Sequence, residues 1–117
     1  MLQAFSNELK KGDVLAGLRR GLIGEGREIP GAEGPVRLFY ADYAASGRAL
    51  EPVERFIAEE ALPFYANSHT ETSHCGAVMN ELRAAARAEI ARLCGADDDR
   101  FAVIFTGAGA TAAANKT

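Results

Sequence analysis

The chain predicts an α/β fold, and three observations point that way. "FAVIFT", residues 101–106, is a continuous apolar run, as expected of a strand covered on both faces. A glycine-rich turn, "GAGAT", follows at 107–111 and opens a helix-like stretch. Upstream lie helical periodicities within 14–23, 52–62 and 77–94, and a strand-like alternation at 36–41. Two strands are too few to flank a run as apolar as 101–106. The expectation is therefore the opening part of a longer α/β protein.

The elements follow in order. Asp13 can cap a helix from Val14 to Ile23, whose Val14, Leu15, Leu18 and Leu22 share one face. Gly17 and Gly21 weaken it, so it needs a partner surface. "GEGREIPGAEGP", 24–35, holds four glycines and two prolines and reads as a loop or arm. In "VRLFYA", 36–41, Val36, Leu38 and Tyr40 point one way, Arg37 and Phe39 the other, as in a short strand. "DYAASGRAL" follows as a turn, and Pro52 suits the first turn of the next helix. That helix presents Val53, Phe56, Ile57 and Ala61, and Pro63 ends or kinks it. "YANSHTETSHCG", 65–76, has no period and reads as a loop. The clearest helix spans 77–94, with Val78, Leu82, Ala86, Ile90 and Leu93 as its apolar stripe and Gly95 as its stop. A last helix begins near Ala110.

Composition narrows the function classes. With 117 residues the chain suffices for one small domain. At 48% hydrophobic and 25% charged it reads as globular. A net charge of -3 offers no general attraction to nucleic acid or to an anionic membrane. Arg19 and Arg20 read as a solvated helix face. No stretch approaches the roughly 18 apolar residues of a membrane helix. The polar start "MLQAFSNELKKGD" lacks the apolar core of a signal peptide, so a cytoplasmic location is expected. Cys75 and Cys94 are too few for a disulfide framework and read as free thiols, Cys94 in a core.

The glycine turn carries three readings. Gly107, Gly109 and Ala112 fit G-x-G-x-x-A between strand and helix, the mark of a dinucleotide site. The acid that this motif expects about 20 positions on would fall past Thr117. A second reading is a phosphate cradle for another cofactor, made of helix-terminal N–H groups, small residues and the Thr111 hydroxyl. The third is a plain tight turn. The polar loop is equally open. His69, His74 and Cys75 could ligate zinc, Asn67 and His69 could line a substrate pocket, or the loop is merely solvated. "DYAASGR" could admit a ligand closely, or it is an Asp-initiated turn.

Taken together, "LFYADYAASGRAL", "LPFYANSHTETSHCG" and "VIFTGAGATAAANK" resemble, in order and spacing, the start of class V aminotransferases. The resemblance covers about residues 20–117 and implies the incomplete N-terminal part of a pyridoxal-phosphate-dependent (aspartate aminotransferase-like) transferase fold. Residues 1–35 read as an N-terminal helix and arm, and the resemblance implies 36–117 as the start of the cofactor-binding domain. Gly109, Ala110 and Thr111 would hold the phosphate of pyridoxal 5'-phosphate. Ala45, Ser46, Asn67 and His69 would face an amino-acid substrate. The parent would be a homodimeric enzyme, closest in type to cysteine desulfurases and selenocysteine lyases. Ala112 departs from the glutamate that many members carry. Lys116 does not match the Schiff-base lysine, which lies further along in the family, and neither cysteine matches the desulfurase nucleophile. The chain alone is thus expected to be inactive. A nucleotide-binding module and a non-catalytic remnant remain as alternatives.

Overall fold

A computed structural model describes residues 1–67, 72–96, 99–107 and 109–116. Its elements are α1 (Leu2–Leu9), α2 (Val14–Gly21), β1 (Glu28–Gly31), β2 (Gly34–Arg37), α3 (Glu51–Phe56), α4 (His74–Leu93) and α5 (Gly109–Ala114). The chain divides into two compact units, Met1–Tyr65 and Ala66–Thr117.

In the first unit, α1 is an element that the sequence reading passes over. Leu2, Phe5 and Leu9 give it helical spacing, and Phe5 stacks on Phe56 of α3 with ring centroids 4.4 Å apart. Lys11 Nζ donates to Glu8 Oε2 at 2.7 Å and holds the Glu8 carboxyl below its ordinary value. This small contribution is present at neutral pH and is lost as pH falls through the lowered value.

Asp13 caps α2 as expected, its side chain accepting from the Ala16 N–H at 3.0 Å. The end of α2 is tied down by the backbone. Ile23 N–H donates to the Ala49 carbonyl at 3.0 Å, and Leu22 bridges Leu50. A Cβ on Gly21 would sit 3.0 Å from Pro52 Cδ, so this glycine serves a close approach. Gly17 faces open space instead. Gly17→Ala is therefore expected to stabilise the helix by roughly 0.5–1 kcal/mol. Gly21→Ala should gain less or lose, and far-UV circular dichroism through a thermal ramp will separate the two.

The arm at 24–35 is not a loop. β1 and β2 form an antiparallel hairpin around Ala32 and Glu33, with Ile29 opposite Val36 and Pro30 opposite Pro35. Leu38 N–H donates to the Arg27 carbonyl at 2.7 Å, which sets the alternation of the ladder. Pro30 and Pro35 then fall together in a pair that exchanges no hydrogen bonds, where proline costs nothing to the ladder. Proline density thus misled the sequence reading. The expected strand at 36–41 is correspondingly shorter and ends at Arg37. Its alternation persists beyond that point. Leu38 and Tyr40 are half-buried, while Phe39 is 89% exposed.

Pro63 acts as expected. It cannot donate to the carbonyl four residues back, and its ring crowds that carbonyl. The chain reaches it by widening into a π turn over Ile57–Ala61 and tightening into a 3-10 turn over Leu62–Phe64.

In the second unit, Ser73 caps α4 by accepting from the Gly76 N–H at 3.0 Å. The helix starts a turn earlier than its apolar period suggests because the cap lies in the polar stretch. Gly95, at φ +64°, ends it: Ala96 N–H reaches the Ala91 carbonyl at 2.8 Å, and Gly95 N–H reaches that of Arg92 at 3.3 Å. Cys94 occupies the C-cap position and is exposed, not in a core, because the stripe's register has run out there. The run 101–106 belongs to no strand, and its backbone makes no hydrogen bond among the described residues. An extended run becomes a strand only against a neighbour, and no described segment pairs with it. Arg87 lies over the Phe105 ring at 5.4 Å. Ile104 is 73% exposed, and no described apolar side chain is fully buried.

Candidate functional site

The Asp42–Ser46 turn belongs to the first unit. Ala45 and Ser46 N–H groups both donate to the Asp42 main-chain carbonyl, at 3.3 and 3.2 Å, so the turn starts at Asp42 and is closed by its backbone. Tyr40 Oη donates to the Ser46 carbonyl at 2.6 Å and lies 3.2 Å from that of Asp42. Tyr43 meets the Tyr40 ring edge-on with centroids 5.3 Å apart. Ala45 and Ser46 are exposed, so the small-residue face of the turn is open to a ligand.

Two arginines frame this turn. Arg48 Nη2 donates to the Ile23 carbonyl at 2.6 Å, and its guanidinium lies over Tyr40 at 5.4 Å. Glu25 stands between Arg48, at 3.8 Å, and Arg37, at 3.3 Å. The sequence reading noted Arg48 only as the end of a turn. The signal it missed is Gly24, a glycine 24 residues upstream that is left-handed at φ +86°. Sequence spacing cannot reveal that such a pair meets.

The glycine turn belongs to the second unit. Gly109 opens α5 at φ +79°, a left-handed conformation that glycine adopts without strain. Gly109, Ala110 and Thr111 form the first turn of α5, whose N–H groups have no partner within a helix. All three residues are exposed, and a Cβ on Gly109 would meet nothing within 4 Å. Gly107 is constrained differently, since its Cβ would lie 3.3 Å from that of Ala112. The turn can therefore present donors and the Thr111 hydroxyl to an anion in open space. Lys116 lies exposed past the end of α5.

Asn67, also in the second unit, is exposed. His69 lies outside the described residues. His74 is the first residue of α4 and Cys75 is half-buried beside it. Among the described residues no three His, Cys, Asp or Glu side chains gather as metal ligands, and the zinc reading also needs His69. No described helix is long and apolar enough to cross a membrane.

Comparison with known proteins adds one finding. The model of the family described as aminotransferase class-V matches residues 39–116, a span that takes in the Asp42–Ser46 turn, Asn67, His69 and the glycine turn. No curated protein and no solved structure matches the chain.

Proposed function

Because the chain belongs to the class V aminotransferase family, we propose that it supplies the phosphate anchor and part of the substrate wall of a pyridoxal-phosphate-dependent enzyme acting on an amino acid. In this reading residues 1–35 are a helix and arm, and 36–117 begin the cofactor-binding domain. The observation that carries it is the conformation of the glycine turn. Gly109 is left-handed, and the first turn of α5 beyond it is open, with Thr111 exposed. Those features fit a phosphate, which needs several N–H donors, close backbone approach and a positive dipole end.

Bound there, pyridoxal phosphate supplies an electron sink for bonds at the amino acid's α-carbon. The chain's own residues bind and orient. The N–H groups of Gly109, Ala110 and Thr111 hold phosphate oxygens, and the Thr111 hydroxyl donates one more hydrogen bond. Ala45 and Ser46 leave room for the substrate because their side chains are small. Asn67 and His69 hold its polar groups, and a histidine there can also hold a proton near neutral pH. A desulfurase or lyase specificity, a homodimeric assembly and a cytoplasmic location complete the proposal. They rest on resemblance to the family alone.

Titration of the chain with pyridoxal phosphate tests the anchor. Amide signals of Gly109 to Thr111 should move on binding. Thr111→Ala should weaken affinity by roughly 1 kcal/mol or somewhat more, the loss of one hydrogen bond to a charged group. Unmoved amides, or full affinity in the variant, would sink the assignment.

A further inference from the structure

Arg48 is the best-enclosed charge around the Asp42–Ser46 turn, its side chain 11% exposed against 72% for Arg37. A guanidinium held that far from water needs its donors used and its charge matched. Nη2 is used by the Ile23 carbonyl at 2.6 Å, just past the end of α2. The charge is met by Glu25 at 3.8 Å and by the face of the Tyr40 ring at 5.4 Å. Tyr40 in turn donates its hydroxyl to the Ser46 carbonyl at 2.6 Å. One continuous set of contacts therefore runs from the end of α2, through Arg48 and Tyr40, to the residue that closes the turn.

The backbone is shaped to admit this guanidinium. Gly24 is left-handed at φ +86°, and a Cβ placed on it would run into Arg48 Nη2. The backbone angle favours glycine there, and the tip of the arginine fills the space that a Cβ would take.

We infer that Arg48 is a positioning residue: it couples the place of the Asp42–Ser46 turn to the end of α2 through the ring of Tyr40. Ala45 and Ser46 are then set by a side chain that need not touch the ligand. The functional meaning rests on the reading of these two residues as substrate-side. The coupling itself does not, and its test uses no cofactor. Failure of this test and failure of pyridoxal phosphate to bind are thus separate results.

The test is chymotrypsin cleavage of the 117-residue chain. Tyr43 lies inside the turn and Tyr65 well outside it, with both side chains exposed. Arg48→Ala should speed cleavage after Tyr43 about tenfold relative to cleavage after Tyr65, because it removes a charged hydrogen bond and a ring contact together. Tyr40→Phe keeps the ring and loses the hydroxyl's contacts with the Ser46 and Asp42 carbonyls, so it should raise the same ratio by less. The double variant should not exceed Arg48→Ala by the full Tyr40→Phe factor, as expected of coupled groups. Gly24→Ala should reproduce Arg48→Ala. Arg37→Ala, which removes the exposed partner of Glu25, should leave both the ratio and the Tyr40 ring resonances unchanged, whereas Arg48→Ala shifts those resonances. An unchanged ratio in both Arg48→Ala and Tyr40→Phe would overturn the inference. So would cleavage after Tyr43 and Tyr65 rising together, which would report a loosening of the whole unit.

Discussion

Gly109→Val is expected to weaken pyridoxal phosphate binding at least about tenfold, a loss of about 1.4 kcal/mol. The residue stands at φ +79° at the head of α5, among exposed small residues. A β-branched side chain at such an angle is a steric outlier and costs about 1–2 kcal/mol. The chain would relieve that strain by rotating the peptide, and the first-turn N–H groups would then no longer converge on one point. Ala113→Val, on the exposed side of the same helix, is the control. It carries only a propensity cost of less than about 1 kcal/mol and should leave affinity within a few-fold of the parent. Equal affinities in the two variants would mean that the left-handed turn takes no part in holding the phosphate.

Gly31→Ala should open the hairpin. A Cβ there would lie 2.7 Å from the Gly34 carbonyl oxygen and 2.8 Å from Val36 Cγ1. The first contact is with backbone and cannot be relieved by turning a side chain. Overpacking of this kind costs about 1–3 kcal/mol. A two-stranded hairpin is itself only marginally stable in water, so that cost is enough to separate the strands. The readout is the cross-strand proton contact between the α positions of Pro30 and Pro35, which face each other across the ladder. It should vanish in Gly31→Ala and survive in Gly47→Ala, where a Cβ meets nothing within 4 Å. A contact that persists in both would show that the turn can shift to accommodate the methyl group.

Much of the helical content was legible because it depends on neighbours in sequence. Asp13, Pro52, Pro63 and Gly95 act within one turn of their own position, and each does what its chemistry dictates. The β content was not legible in this way. A strand is defined by its partner, and a partner is a long-range fact. "FAVIFT" has every local mark of a strand and pairs with none of the described residues. "EIPG" and "GPVR" have poor local marks and pair with each other. Helix α1 is weakly marked in sequence because its apolar positions, Leu2, Phe5 and Leu9, are few and separated by polar residues.

The candidate site divides along the same line. The glycine turn and the small residues at 45 and 46 were visible as strings. What fixes the second of these, the meeting of Arg48 with Gly24 and Tyr40, joins residues up to 24 positions apart. No string of neighbours carries that information.

The pairing of Pro30 with Pro35 reaches beyond the hairpin itself. In an antiparallel ladder, residues that exchange no bonds with each other aim their backbone groups outward, toward whatever might add on as a third strand. At Pro30 and at Pro35 the outward donor does not exist. Each margin of the hairpin is therefore missing a hydrogen bond at the same level, one on either side. The hairpin is capped sideways, and a passing strand finds no continuous row of donors to dock against. Residues 101–106 hold no proline and so have no such guard. Of the two, the arm therefore offers an added strand the poorer edge.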